Sequence, residues 1–403
     1  MIDLSLQELP IAVVVGASHA GSQLAVHLRK SGWQGRIVLI GDENFLPYHR
    51  PPLSKAVMSG SKDAESIQLR PASLYESNQI ELKLGVKVTA LLRDSQQVEC
   101  SDGERIRYDR LALCTGAHAI RLPLGQGLRG VFYLRTLEDV LAIRAHLSEV
   151  KQAVIVGAGY IGLEAAAVLR GMDIDITVLE RAERVLQRVT GEQVSGYFSE
   201  LHKMHGVNIR CGANVTNING ELSVDSVRCA DGSVFPAQLV IIGVGVMPNI
   251  QLAKDAGLVI NNGIEVDEYG LTSDKNIFAA GDCCSHPAQL YQRRVRLESV
   301  QNANDQSRAV AVNMIALTEK YQSVPWFWSD QFDIKLQSAG LSQDFDRTEI
   351  EGSLNPADRS GFVVRYFKEG KIIAADCVNR PKDFMAIKTE IANQLVQADR
   401  LSG

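Results

Sequence analysis

Gly157-Ala-Gly-Tyr-Ile-Gly162 spaces its glycines as G-x-G-x-x-G, and Gly16-Ala-Ser-His-Ala-Gly21 repeats the pattern with Ser18 in the middle place. Each follows a continuous apolar run, Ala153–Val156 in one case and Ile11–Val15 in the other. Each is followed, one helical stretch and one further apolar run later, by an acid: Glu180 after Ile174–Leu179, and Asp42 after Arg36–Ile40 and Gly41. These residue types in this order suit a dinucleotide. The first glycine permits a tight turn, the second lets backbone approach a pyrophosphate, and the third lets helix and strand pack closely. The amides that open the helix meet the phosphates, and the acid accepts from ribose hydroxyls. Ser18 is the one departure, and its side chain must point away from a pyrophosphate or bond to it. Glu180 favours a free 2′-hydroxyl and repels a 2′-phosphate, so NADH is expected over NADPH. Arg181 and Arg184 read as solvated basic residues after the strand.

The elements that must position these residues form an internal repeat. Both apolar runs suit strands buried on both faces of a parallel sheet. Helices are expected over about 22–30, stopped by Gly32, and about 163–170, stopped by Gly171. Leu111–Gly116 reads as a strand closing the first unit, and Asn276–Asp282 as a strand with an acid at its carboxyl end. Gly243–Asn249 reads as a return hinge, punctuated by glycines and a proline. Beyond Tyr321 the pattern changes. Gly361–Phe367 and Lys371–Ala375 flank Lys368-Glu-Gly370, a hairpin signal, and a final helix is expected over about 382–398. The fold class is therefore α/β: two Rossmann-like dinucleotide-binding domains plus a small α+β C-terminal domain. The expected boundaries are 1–113 with 244–320 for the first, 114–243 for the inserted second, and 321–403 for the third.

Bulk properties narrow the class. The 403 residues are 45% hydrophobic and 22% charged, ordinary globular values. The net charge of -5 argues against a nucleic-acid binder. No apolar run approaches the roughly 20 residues of a membrane helix. Met1–Pro10 has no basic region ahead of its apolar stretch, unlike a secretory leader, so a cytoplasmic location is expected. The seven cysteines are scattered, with no CxxC and no zinc spacing, so neither a disulfide framework nor a metal site is expected. Cys283 and Cys284 are adjacent and read as packing residues.

Two dinucleotide sites on one chain suggest a flavin and a nicotinamide exchanging a hydride. Arg50-Pro-Pro-Leu-Ser-Lys55, Tyr133–Asp139, Gly157–Glu164, Gly281-Asp282, Glu298–Val300 and Pro325-Trp-Phe-Trp-Ser-Asp330 extend the case along nearly the whole chain. With them the sequence resembles the FAD-dependent pyridine nucleotide reductases of glutathione-reductase-like fold, and within these the NADH-dependent ferredoxin reductases that serve bacterial oxygenases. The resemblance implies FAD and NADH as cofactors. Gly16, Ser18, His19, Ala20 and Gly21 would hold the FAD pyrophosphate and Asp42 its ribose. Arg50, Val88, Thr115, Gly116, Arg135 and Gly281 would line the FAD site. Asp282 would bond the ribityl chain, with Lys55, Val300 and Trp328 at the flavin ring. Gly157, Gly159, Tyr160, Ile161, Gly162, Glu180 and Gly245 would bind NADH. Glu164 would lie near the nicotinamide and pair with Lys55, and Lys55, Glu164 and Trp328 would be the catalytic group. A cation beside a flavin eases hydride acceptance, so the assignment of Lys55 makes physical sense. Trp326 and Trp328 are expected on a partly exposed turn.

Disulfide reductases of this fold carry two closely spaced cysteines in the first FAD helix, but Tyr48–Lys55 has none, and no cysteine precedes Cys100. Electrons would then leave the flavin singly for an external carrier. The resemblance makes that carrier a [2Fe–2S] ferredoxin feeding a P450 or a Rieske oxygenase, with the reductase a monomer or weak dimer. Such encounters are fast and electrostatically steered. The candidate steering residues are Arg293, Arg294, Arg296, Arg308 and Lys388. Other readings stay open: a rubredoxin reductase, an NADH oxidase or a monodehydroascorbate reductase of the same fold, or a non-enzymatic flavoprotein that senses NADH.

Overall fold

The computed structural model describes the backbone of residues 9–402 and the side chains of 9–395. Most of the stretch Met1–Pro10 lies outside the described residues. In chain order, the elements that position the glycine loops are β1 (Ile11–Val15), α1 (His19–Lys30), β2 (Arg36–Gly41), β3 (Ile80–Leu84), β4 (Arg110–Leu113), β5 (Val131–Tyr133), β6 (Gln152–Val156), α2 (Tyr160–Arg170), β7 (Asp175–Leu179), α3 (Glu192–Met204), β8 (Asn208–Arg210), β9 (Leu239–Ile242), β10 (Ile277–Ala279) and α4 (Val300–Asn313). A last group follows: β11 (Trp326–Gln331), β12 (Ile334–Gly340), β13 (Arg347–Gly352), β14 (Phe362–Lys368), β15 (Lys371–Val378) and α5 (Pro381–Ser402).

The chain divides into two compact units. The first comprises Met1–His49, Ile67–His118 and Pro248–Pro325. Its central sheet runs β10-β4-β1-β2-β3 with every neighbouring pair parallel. The run Ala12–Val15 explains why β1 sits in the middle. Ala12 and Val14 enter one apolar core, with Leu24, Leu28 and Val310, while Val13 and Val15 enter another, with Leu111, Ile264 and Ile277. A strand that feeds both faces must be apolar at every position. Each fully buried valine contributes roughly 1.5–3 kcal/mol. Helix α1 packs against α4.

The second unit comprises Arg50–Ser66, Ala119–Met247 and Trp326–Gly403. It repeats the design in a parallel sheet ordered β8-β7-β6-β9-β5. It also holds an antiparallel sheet ordered β11-β12-β15-β14-β13. The expected hairpin is β14–β15, turned by Glu369 at φ 50° and Gly370 at φ 76°. Two successive positive φ values give the primed turn that matches strand twist. Helix α5 covers this sheet, packing on β15 and β12.

Three local expectations need correction. Helices α1 and α2 begin at His19 and Tyr160 rather than near 22 and 163, because Ser18 and Gly159 are themselves extended N-caps. The strand expected over Leu111–Gly116 ends at Leu113, and Gly116 turns at φ 65°. Trp326 and Trp328 lie on edge strand β11 and not on a turn. Among the described residues, no helix is long and apolar enough to cross a membrane.

Candidate functional site

The first glycine loop is built by backbone necessity. Gly16 adopts φ 111°, and a Cβ there would lie 2.1 Å from the Cys114 carbonyl oxygen. A Cβ on Gly21 would lie 1.9 Å from the Gly16 oxygen, which is how closely helix meets strand. No acid stands in the first turn of α1, and the Ser18 side chain makes no cap bond to it. Asp42 is exposed just past the end of β2. Gly281 turns at φ 87°, with its would-be Cβ 3.1 Å from Ala20 Cβ, and its N–H donates to Gln306 Oε1 at 2.8 Å. Val300 opens α4, which Ser299 caps through its Oγ to the Asn302 amide. Thr115 donates to the Asn249 carbonyl at 2.7 Å. Val88 is buried and opens a short strand, Val88–Leu92. This unit therefore has a helix opening free of negative charge, three closely packed glycines and a distal acid, and these residues fit a dinucleotide.

The second loop shares the turn and differs at its centre. Gly157 takes φ 105°, and its would-be Cβ lies 2.4 Å from the Gly243 oxygen. A Cβ on Gly162 would meet the Gly157 oxygen at 2.2 Å, whereas one on Gly159 would find no atom within 4 Å. That open space over a helix N-terminus without an acidic first turn is the approach a pyrophosphate needs. Glu180 is fixed by the loop it serves: Oε2 accepts from the Ala158 amide at 2.6 Å and Oε1 from the Ala182 amide at 2.8 Å. Two of its roughly four lone-pair sites remain for a ribose. Arg184 donates to the Thr190 and Gln187 carbonyls, and Arg181 is exposed. Gly245 turns at φ 114° with the Arg188 guanidinium 3.5 Å from its would-be Cβ. Ile161 is exposed. Tyr160 stacks on Phe327 of β11 at 4.5 Å, and burial pushes its phenol far above the usual range.

The charged cluster expected from Lys55 and Glu164 is present in this second unit. Pro51 and Pro52 preset a short 3-10 turn, Pro51–Ser54, that ends at Lys55. Glu164, on the second turn of α2, is 2% exposed. Its Oε2 meets Lys55 Nζ at 2.7 Å and accepts from Ser54 Oγ at 2.5 Å, and its Oε1 accepts from Ser329 Oγ at 2.7 Å. A buried ion pair holds only if its remaining lone pairs are satisfied, and the two serines supply that. Arg50 donates to the Arg135 carbonyl at 2.8 Å, and the Arg135 amide donates to Asp139, which forms a capping box with Thr136. Trp328 is half-buried on β11.

Sequence reasoning missed Ser54, Ser329, Gln331 and His202. Ser54 sits inside a motif already singled out. Ser329 and Gln331 share one face of β11 by strand alternation. No local signal marks His202.

The basic candidates separate. Arg294 donates to the Val266 and Ser285 carbonyls. Arg296 pairs with Glu298 at 2.7 Å and donates to the Asp282 carbonyl. Arg293 is exposed, and Arg308 is exposed with Asp305 3.3 Å away. Lys388 lies 5.2 Å over the Trp326 ring. All seven cysteines are free, and all but Cys211 are buried.

A family model described as pyridine nucleotide-disulphide oxidoreductase matches residues 11–307, and one described as reductase C-terminal matches 326–401. Putidaredoxin reductase of Pseudomonas putida is 44% identical over 400 residues, which span 97% of this chain and 94% of that protein. Rhodocoxin reductase of Rhodococcus erythropolis is 42% identical over 385 residues, 95% of this chain and 90% of that one. The crystal structure of the covalent putidaredoxin reductase–putidaredoxin complex matches with a TM-score of 0.92 at 43% identity, covering 96% of this chain and 94% of the solved one. A twin pair of glycine loops, a matching family model over most of the chain and these full-length relatives lead to one conclusion: the chain belongs to the pyridine nucleotide-disulphide oxidoreductase family, as an oxidoreductase that carries a reductase C-terminal domain.

Proposed function

We propose that this chain is an FAD-containing, NADH-dependent ferredoxin reductase. The observation that carries the reading is the duplicated dinucleotide cradle with no thiol in Tyr48–Lys55 to receive electrons. Held in the first cradle, FAD would supply the two-electron chemistry that takes reducing equivalents from NADH and the one-electron chemistry that passes them to a [2Fe–2S] ferredoxin of an oxygenase system.

The residues divide the work by charge and shape. The first loop, with Gly16, Ser18, His19, Ala20 and Gly21, cradles the FAD pyrophosphate, Asp42 takes its ribose, and Thr115, Gly116, Gly281, Asp282 and Val300 complete that wall. The second loop, with Gly157, Gly159, Tyr160, Ile161 and Gly162, takes the NADH pyrophosphate, with Gly245 nearby and Glu180 selecting a free 2′-hydroxyl. Lys55, Glu164 and Trp328 serve the reacting rings, and Arg50 and Arg135 hold the turn that carries Lys55. The cation of Lys55 favours added negative charge on an oxidant beside it, and Glu164 fixes where that cation stands. The assignments of 1–113 with 244–320 to FAD, 114–243 to NADH and 321–403 to a ferredoxin-reductase-type C-terminal domain follow the same reading. Arg293, Arg294, Arg296, Arg308 and Lys388 are the candidate steering residues, and of these Arg293 and Arg308 are exposed. Unpaired thiols suit a reducing compartment, which supports the cytoplasm.

Anaerobic stopped-flow tests the reading. The flavoprotein is reduced with NADH and mixed with oxidised [2Fe–2S] ferredoxin, while flavin and iron–sulfur absorbance are followed together. Rapid transfer that slows with added salt is expected. Reoxidation by rubredoxin or oxygen, with several ferredoxins inert, would overturn it.

A further inference from the structure

Ser329 has one proton, and it gives that proton to Glu164 Oε1 at 2.7 Å. Its oxygen is then an acceptor, and Gln331 Nε2 donates to it at 3.2 Å. Gln331 thereby turns Oε1 to His202, whose Nε2 lies 2.8 Å away. An amide oxygen only accepts, so His202 Nε2 carries the hydrogen. His202 Nδ1 is buried with no partner, which leaves it the bare lone pair of a neutral ring. Burial pushes the His202 pKa down to about 4, so the ring stays neutral at physiological pH. Every donor direction from α3 through β11 to α2 is thus set. Ser329, Gln331 and His202 are each 0% exposed, so no water competes for these bonds.

We propose that Ser329 and Gln331, backed by His202, are positioning residues for Glu164: a one-way hydrogen-bond chain that fixes the carboxylate, and with it Lys55, in the orientation hydride transfer needs. The proposal rests on the reading of Glu164 and Lys55 as members of the reaction site. Chain and ion pair meet at one carboxylate, through different oxygens. Loss of the Ser329 bond frees Oε1 to rotate and takes Oε2 away from Lys55. The effect falls on the rate of flavin reduction and not on nucleotide affinity, because none of these groups belongs to the glycine loop.

The test is a double-mutant cycle on the FAD-loaded protein, with flavin reduction by NADH followed anaerobically. Ser329→Ala slows the limiting rate roughly tenfold, the scale of one hydrogen bond to a charged group, and leaves half-saturation by NADH within about twofold. In a Glu164→Gln background the same change adds less than about twofold, since neighbours that act through one another are not additive. A full additive loss in both backgrounds, or no loss in either, overturns the proposal. If Glu164→Gln alone leaves flavin reduction unchanged, the reading of Glu164 fails and the proposal with it, a distinguishable result. Imidazole ¹⁵N NMR of histidine-labelled protein gives a readout independent of turnover. It shows His202 in the neutral Nε2–H form, and Gln331→Met shifts that signal. An Nδ1–H form reverses the chain and overturns the proposal.

Discussion

Helices α1 and α2 open on matching glycine motifs, yet their fifth residues differ in charge, burial and partners. In α1 that residue is Gln23, a neutral amide whose Oε1 accepts from Arg70 at 2.6 Å at the partly exposed rim, beside Ser22 and Tyr75. In α2 it is Glu164, buried, ionically paired with Lys55 and doubly hydrogen-bonded. One scaffold position thus carries an uncharged clamp in one copy and a desolvated ion pair in the other. Duplication preserves what the backbone demands and leaves side chains on the second helical turn free to diverge. A buried ion pair is a poor way to gain stability, so its presence in α2 alone argues for a role in chemistry.

The largest effect expected from breaking this comparison is on local stability. Lys55→Met strands a buried carboxylate, which costs about 3 kcal/mol, near the low end for a broken buried pair because Lys55 keeps some exposure. Arg70→Met leaves Ser22 bonded to Tyr75 and costs about 1 kcal/mol. Hydrogen exchange read on peptides from α1 and α2 checks both. The opening free energy falls in α2 for the first variant and, by less, in α1 for the second. Equal losses would erase the distinction between the helices.

The glycines sharpen the contrast. Gly16→Ala forces a side chain into φ 111° and against the Cys114 carbonyl. Backbone strain alone costs about 1–3 kcal/mol, so the protein purifies with less flavin and a lower Tm. Gly159 sits at φ -78° in open space, where alanine fits without strain. Gly159→Ala leaves Tm unchanged and weakens NAD⁺ binding by roughly tenfold, the equivalent of about 1.4 kcal/mol of crowding at the phosphate. Calorimetry with NAD⁺ reads the second effect. Unaltered binding would remove the second loop from the nucleotide site.

How much of this was legible in the sequence follows from where each constraint lives. Gly21 and Gly162 are dictated by contact with the Gly16 and Gly157 carbonyls of their own loops, and Gly16 and Gly157 by the positive φ of each turn, so spacing reveals all four; the Cys114 and Gly243 carbonyls that also close on the first glycines are distant in sequence. Strand β1 is legible because both of its faces are buried. The helix starts were misread because Ser18 and Gly159 occupy the caps inside the motif itself. The edge strand β11 read as a turn because Pro325, Ser329 and Asp330 flank its aromatics, and those aromatics face both ways, Phe327 stacking on Tyr160 while Trp326 meets Phe384. The bonds around Glu164 were invisible because they join residues 110 and 165 positions apart, and His202 reaches Gln331 across 129. Lys55 and Glu164 became visible only through the resemblance.

The two acids offer the finest comparison. Asp42 is exposed beyond β2, whereas both oxygens of Glu180 are bound by amides of its own loop. In the second copy the carboxylate anchors the Ala158 and Ala182 amides, and on the proposed reading it also presents negative charge where a 2′-phosphate would sit. Glu180→Gln keeps an acceptor for one amide, turns an NH₂ toward the other and removes the charge. With ferricyanide as acceptor, the preference for NADH over NADPH in kcat/KM falls roughly tenfold, on the scale of one charge-assisted hydrogen bond. Glu180→Ala loses both amide anchors as well, so NADH binding weakens along with selectivity. Asp42→Asn is the mildest change: an exposed substitution shifts stability by less than about 0.5 kcal/mol, and flavin content stays near that of the parent. If Glu180→Gln left selectivity intact while Glu180→Ala loosened the loop, Glu180 would be a loop anchor and nothing more.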